Sequence, residues 1–402
     1  MDWTEWKTLH ALRQTPQIFE RVRQTIAETR GGDLQVQSRL RKEFPHELVC
    51  AALSLHELRI KAVAKFPGRA SEMWLDRIGL EQSTSEIVAR HKASRFEGLV
   101  WDYCSGIGSD AAALAQAGCE VVSVDSDAAS CLRATWNARI LTPEREPFFL
   151  CARAEDLVDR GGLLHVDPDR RVSHQTRAVR LEDYVPGLDQ MQRWSREFAG
   201  GAIKLSPAAN FGGKFPDAEI ELISVSGECK EATVWFGTIA SKKPWRATTL
   251  PSGESLSGDP LEAVAEIRPL GRFLFDPDPA IVRAGLVDLL ADRLGLARLD
   301  SAEEYLTGDI PVDSAFVRAF EVQAQLSNNP KDLKAYLRDS RIGQLEIKCR
   351  HIPVEVDRLR KQLPLPGDQP GVLIFARVEG RARAIIANRQ PAYSGDTTHG
   401  QE

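Results

Sequence analysis

The sequence predicts an α/β protein: an open, mostly parallel sheet covered by helices and ending in one reversed strand, with a helical region before it and small α+β domains after it. Three observations predict this. Up to about residue 96, apolar residues recur at three- and four-residue spacing. From residue 98 onward, short apolar runs alternate with helical segments, the pattern of a parallel sheet buried on both faces. The last two runs are joined only by "GECK", Gly227 to Lys230, too short for a parallel crossover, so they form an antiparallel hairpin.

Taken in order, "FERVRQTIAETR", "LVCAALSLHELRIKAVAKF" and "STSEIVARHKASRF" are the early helices, divided by the breaker "FPG" at Phe66 to Gly68. Ser83 or Thr84 can cap the helix that Glu86 enters. Strands are expected at "LVWDYC", "EVVSVD", "PFFLCA", "GLLHVD", "GAIKLSP", "ELISVSG" and "EATVWFG". Helices are expected at Asp110 to Gln116, at Ala128 to Arg139 and around "DQMQRWSREFA". The stretch Ser241 to Pro260 is rich in Ser, Thr, Gly and Pro and reads as a linker or a turn-rich hairpin. The rest alternates helices and strands, from "GRFLFDPDPAIVRAGL" to "RARAIIA". The expected domains are thus 1–96 (helical), 97–240 (the sheet), 241–270 (linker), 271–316 (a small segment) and 317–392 (an α+β unit).

Composition sets limits on function. With 43% hydrophobic and 27% charged residues over 402 positions, the chain is an ordinary globular protein of two or three domains. It has no apolar run near the roughly 18 residues of a membrane span and no signal-peptide pattern at its start, so a cytoplasmic location and no membrane partner are expected. Seven scattered cysteines without a C-x-x-C pair argue against a disulfide framework or a zinc ribbon, and the eight histidines show no metal-binding spacing, so no metal is expected. Net charge is −5, yet residues 331–389 carry 13 Lys and Arg against 7 Asp and Glu, which marks the C-terminal region as a candidate polyanion-binding surface.

The chemistry centres on "LVWDYCSGIGSD". In open α/β sheets ligands bind beyond the carboxyl ends of the strands, most often at the first strand-to-helix turn. Gly106 and Gly108 let the backbone approach a ligand closely, and Asp125, at the end of the second strand, can accept hydrogen bonds from ribose hydroxyls. Asp102 discriminates between cofactors. A dinucleotide pyrophosphate would be repelled by a carboxylate at the strand exit, whereas the ammonium of S-adenosylmethionine (SAM) would be attracted. Gly106, Gly108 and Ala111 also satisfy a loose dinucleotide fingerprint. Cys104, Asp110 and Ser126, in and beside these turns, complete the expected cofactor set. "CARAEDL" follows the third strand where the adenine would lie, with Asp156 the choice for its amine. "VDPDRR" ends the fourth strand. Asp167 and Pro168 match the first half of the N-P-P-Y or D-P-P-Y sequence that orients exocyclic amines in base methyltransferases and are the expected catalytic residues, while Arg170 and Arg171 replace its aromatic and suit a substrate phosphate. "IKLSP" puts Lys204 or Ser206 on the substrate side.

These motifs, with "KFPGRASEMWLDRIGLEQSTSEIVARHKASRF", "YLTGD" and "IGQLEIKCRHIPVEVDRLRKQL", resemble a family of bacterial class I SAM-dependent methyltransferases with a C-terminal THUMP-like domain. The resemblance runs from about Lys65 to Ile386. It implies a Rossmann-like class I methyltransferase sheet, a small ferredoxin-like segment at 271–316, a THUMP-like domain at 317–392, SAM as cofactor and a base in tRNA or rRNA as substrate. By likeness to RNA methyltransferases in which a similar element covers the cofactor, it places Gln82 and Thr84 of "EQSTSE" in the cofactor pocket. Ser109 and Asp169 depart from the family pattern. Two other readings fit the same residues: a SAM- or RNA-binding protein without catalysis, and a methyltransferase for a protein or small molecule.

Overall fold

The computed structural model describes residues 3–29, 32–157, 161–169 and 180–391. The chain divides into two compact units, residues 1–218 with 233–241, and residues 219–232 with 242–402.

The first unit opens with six helices: α1 (Trp3–Arg13), α2 (Gln17–Glu28), α3 (Asp33–Leu40), α4 (His46–Ala62), α5 (Arg77–Gln82) and α6 (Glu86–Ala93). Their three- and four-residue apolar spacing becomes one buried face, with Ile18 and Val22 of α2 and Val49, Ala52, Leu55 and Leu58 of α4 in a shared core. Asp76 caps α5 by accepting the Gly79 N–H at 2.7 Å. The expected cap of α6 is not made by Ser83 or Thr84. Ser85 occupies the cap position without a side-chain bond, and Ser83 Oγ donates instead to the Leu80 carbonyl.

Strands β1 (Leu99–Tyr103), β2 (Glu120–Asp125), β3 (Phe148–Cys151), β4 (Leu163–Val166) and β5 (Gly200–Leu205) alternate with α7 (Ser109–Gln116), α8 (Ala128–Leu141) and, before β5, α9 (Leu188–Glu197). The strands pair in the order β3-β2-β1-β4-β5, all parallel. The chain winds outward from β1 to β3 and then returns to β4 on the other side of β1. That reversal opens a crevice at the carboxyl ends of β1 and β4, where doubly wound sheets bind ligands.

β6 (Glu219–Val225) and β7 (Glu228–Gly237) are hydrogen-bonded neighbours joined only by Ser226 and Gly227, both left-handed at φ 53° and 84°. Such a two-residue turn makes an antiparallel hairpin, as the short link requires. From Thr233 onward β7 belongs to the first unit, where it lies beside β5.

In the second unit the stretch 241–270 is more than a linker: β8 (Trp245–Leu250) pairs parallel with β6, and β9 (Ser255–Gly258) folds back antiparallel on β8. Beyond it come β10 (Phe273–Pro277), α10 (Pro279–Ala284), α11 (Val287–Leu294), β11 (Ala297–Arg298), β12 (Leu306–Gly308), β13 (Val317–Ser327), α12 (Pro330–Arg338), β14 (Ile342–Cys349), α13 (Val356–Gln362), β15 (Gln369–Val378) and β16 (Arg381–Arg389). Their strands make one sheet in the order β11-β12-β10-β13-β16-β15-β14. The segment 271–316 is therefore not a separate ferredoxin-like body, because β10 pairs with β13 and carries β12 on its other edge. β15 explains how one strand serves two cores. Val372, Ile374, Ala376 and Val378 pack on one face and Leu373 and Phe375 on the other, the two-residue period of a doubly covered strand. Asp278 and Asn329 cap α10 and α12, each with proline at the first helical position.

Candidate active site

The crevice is a cavity of about 960 Å³ within the first unit, of the size that takes a small-molecule ligand. The turn after β1 forms one wall. Cys104, Gly106 and Gly108 are all left-handed, at φ 61°, 53° and 82°, which swings the chain sharply from strand to helix. The glycines serve different ends. A Cβ on Gly106 would meet nothing within 4 Å among the described residues, so its φ is what demands glycine, whereas one on Gly108 would lie 2.9 Å from the Ala134 Cβ, where α7 packs on α8. Gly108→Ala is accordingly expected to lower stability by about 2 kcal/mol or more, from the left-handed backbone and the overlap together, as a shift in the denaturant midpoint. Cys104 shares the wall. Burial, and then the charge of Asp125, push its thiol well up, so it is a neutral surface rather than a nucleophile.

Asp125 faces the same space. Its Oδ2 accepts the Gly106 N–H at 2.8 Å and its Oδ1 the Asp127 N–H at 2.9 Å, so the carboxylate is aimed before any ligand arrives. Burial raises its pKa above the ordinary value. Ser126 and Asp127 continue this edge of the cavity.

The substrate side is built around "DPD". The Asp167 N–H donates to the Tyr103 carbonyl at 3.1 Å, extending the β1–β4 ladder, and Asp169 exchanges two backbone hydrogen bonds with Val185. Asp167 Oδ2 accepts from Lys204 Nζ at 2.7 Å, and the same ammonium donates to the Gln82 carbonyl at 2.8 Å. The Gln82 side chain in turn donates to Asp169 Oδ1 at 3.0 Å. Burial raises the Asp167 pKa, while Lys204 pulls it back. Asp167, Pro168, Asp169 and Gln82 line the cavity, but Lys204 does not: it is only 3% exposed and spent on these internal partners. The expectation that Lys204 meets substrate gives way to a positioning role. Ser206 has its own local partners, Tyr184 and Ala208. Arg170 and Arg171 lie outside the described residues.

Asp102 corrects the cofactor expectation most. It is fully buried and does not line the cavity. Its Oδ2 accepts from Ser123 Oγ at 3.0 Å and its Oδ1 from His165 Nδ1 at 2.7 Å, the residues directly opposite it on β2 and β4. His165 Nε2 accepts from Lys92 Nζ at 3.2 Å, and Lys92 pairs with Asp110 at 2.8 Å. Asp110 Oδ2 then accepts from Thr84 Oγ1 at 2.6 Å. Burial opposes the charge on Asp110, but Lys92, followed by His165 and Lys204, outweighs it and holds the carboxyl well below the usual range. Thr84 and Asp110, expected in the cofactor pocket, thus belong to this buried network beneath it. Asp156 also stays off the cavity wall, where its neighbour Glu155 stands instead, and Gly108 acts in packing.

Several residues of the wall and its support were not among the expected site residues. Glu5 of α1 and Asp76 before α5 face the cavity, and both reach Arg133 of α8: Glu5 as a close ion pair, Asp76 at 3.6 Å. Asn137 joins the same layers, bonding both the N–H and the carbonyl of Trp74 and the Ile107 carbonyl in the glycine turn. Lys65 donates to the carbonyls of Leu80, Glu81 and Ser83, which fixes Gln82 over the site. A sequence signal existed for Arg133 and Asn137. Both stand on the apolar face of α8 beside Ala129 and Trp136, where a polar side chain needs a partner.

The comparisons with known proteins come from both parts of the chain. A family model described as THUMP domain-like matches residues 317–389. An S-adenosylmethionine-dependent methyltransferase of Mycobacterium tuberculosis, found in strains H37Rv and CDC 1551, is 36% identical over 307 residues, covering 74% of this chain and 83% of the relative. Among solved structures, a candidate methyltransferase of Porphyromonas gingivalis W83 superposes with a TM-score of 0.75 at 19% identity, covering 94% of this chain and 99% of the other.

Proposed function

The chain belongs to the S-adenosylmethionine-dependent methyltransferases, and from that premise we propose that it methylates a base in RNA, a tRNA or an rRNA, in the cytoplasm. The observation that carries this reading is the Asp167-Pro168-Asp169 segment, whose half-buried Asp167 carboxylate opens into the same cavity as the glycine turn and Asp125. The THUMP-like match and the cationic excess of residues 331–389 support RNA as the polyanion. No described helix is long and apolar enough to cross a membrane.

The residues present fit the cofactor. A ribose has two adjacent hydroxyls, and the pre-aimed Asp125 carboxylate can accept both, while the open side of Gly106 leaves room for a ligand against the backbone. When bound, SAM supplies a methyl group on a sulfonium, an electrophile whose leaving group departs as a neutral thioether. Asp167 orients the target amine by accepting one of its hydrogens and takes that proton as the new N–C bond forms. Lys204 keeps Asp167 ionised and immobile, and Gln82 and Val185 hold Asp169 so that the loop keeps its shape. Most of the acceleration then comes from holding nitrogen and methyl in line.

Asp125→Ala should weaken SAM binding by about 1–3 kcal/mol, the cost of a lost charged hydrogen-bond acceptor, as read by calorimetric titration. An unchanged affinity would remove the ribose assignment. The substrate test is transfer of tritium from methyl-labelled SAM to total RNA from cells lacking the protein. Ribonuclease-sensitive label is the expected result, with RNA affinity falling steeply as salt rises. Label that enters only protein or small molecules would overturn the RNA reading.

A further inference from the structure

The geometry points to a second, separate site in the C-terminal unit: a divalent transition-metal site formed by Glu303, Glu304 and His351. Each offers one ligand atom, and the three atoms lie within 4.8 Å of one another. The two glutamates sit in the loop between β11 and β12, and His351 follows β14, 47 residues later, a separation that no sequence-local spacing rule detects.

Glu303 is the strongest sign of a ligand. The residue is fully buried, yet among the described residues its Oε2 has no hydrogen-bond partner, which is costly for a carboxylate. Its Oε1 accepts the Arg377 N–H at 2.7 Å, which fixes the orientation of the group, much as outer-shell bonds do for metal ligands. The loop itself is held rigid. Arg298 Nε donates to the Glu303 carbonyl at 3.0 Å, and Asp300 accepts from the N–H groups of Ala302 and Gly380 at 3.0 and 2.7 Å. At the open end, His351 Nε2 and Glu304 Oε2 are 2.6 Å apart and share a proton that a metal ion would displace. Zinc bonds of about 2.0–2.2 Å put tetrahedral ligands roughly 3.3–3.6 Å apart, so the Glu304–His351 pair opens by somewhat under an ångström while the wider separations, up to 4.8 Å, close by about an ångström, which the more accessible Glu304 and His351 can do.

The donor set selects the metal. One imidazole with two carboxylates suits Zn²⁺ or Mn²⁺, whereas Mg²⁺ and Ca²⁺ take oxygen ligands and gain little from His351. Three protein ligands leave at least one position for water, or for a phosphate oxygen of a bound polyanion.

The test is calorimetric titration of chelator-treated full-length protein with ZnCl₂, repeated with His351→Ala and Glu304→Gln, both changes at partly exposed side chains whose folding is checked by circular dichroism. The parent is expected to bind one Zn²⁺ that excess Mg²⁺ does not displace, and each variant to lose at least about 10-fold to 100-fold in affinity. If the parent binds no ion, or if both variants bind as tightly as the parent, the site does not exist. Neither outcome depends on methyl transfer, so the proposal stands or falls separately from the RNA reading.

Discussion

Asp167→Asn is expected to slow methyl transfer by about 100-fold to 1,000-fold, while the affinity for SAM and the unfolding midpoint change far less. Asparagine keeps the volume and one acceptor for Lys204 but cannot take the proton that leaves the target amine. The same argument fixes a pH dependence. Activity needs the ionised carboxylate, so it falls as pH drops through the Asp167 pKa. Burial raises that pKa more than Lys204 lowers it, so the acid limb lies above the ordinary aspartate value. Lys204→Met removes the lowering partner, and the acid limb should move to still higher pH. A merely structural Lys204 would cut the rate at every pH without moving the limb. Single-turnover rates across pH for the parent and both variants decide the matter, and an Asp167→Asn enzyme as fast as the parent would end the assignment.

The parts of this site that could be read in the sequence are those set by local backbone chemistry. A glycine-rich turn after an apolar strand, an acid at the end of the next strand and a D-P-D at the end of the fourth all lie where the strand-helix alternation puts them, because each depends on a few adjacent residues. Asp102 was not readable in this way. β1 is covered on both faces, so its run of apolar residues does not reveal which side chains point toward the crevice, and only the register against β2 and β4 shows Asp102 between Ser123 and His165. The cavity wall from α1 and α5 depends on contacts such as Glu5 with Arg133, which are 128 residues apart. The fold has the same limit. Of the strands in 271–316 only β10 is legible, in "GRFLF"; the short β11 and β12, and the place of all three in the sheet with β13–β16, are matters of long-range pairing.

That correction carries its own prediction. Asp102→Ala should destabilise the protein by about 3–5 kcal/mol, the typical cost of removing one partner from a buried polar pair. Asp102 satisfies two groups at once, so its loss strands the Ser123 hydroxyl and the His165 Nδ1 in a dry interior and leaves a cavity besides. Against a typical total of about 5–15 kcal/mol, this is enough to leave the variant marginal. The loss should appear as a lower denaturant midpoint with an unchanged slope. A direct ligand of the cofactor ammonium would behave in the opposite way, with a small change in stability and a large one in SAM affinity. Pairing Asp102→Ala with His165→Leu separates the two roles further. If the aspartate serves mainly to satisfy the imidazole, the double variant should lose less than the sum of the single losses, by roughly 1 kcal/mol or more, because the second change removes the group that the first left unpaired. Full additivity together with lost SAM binding would restore Asp102 to the pocket and place the ammonium at the strand exit after all.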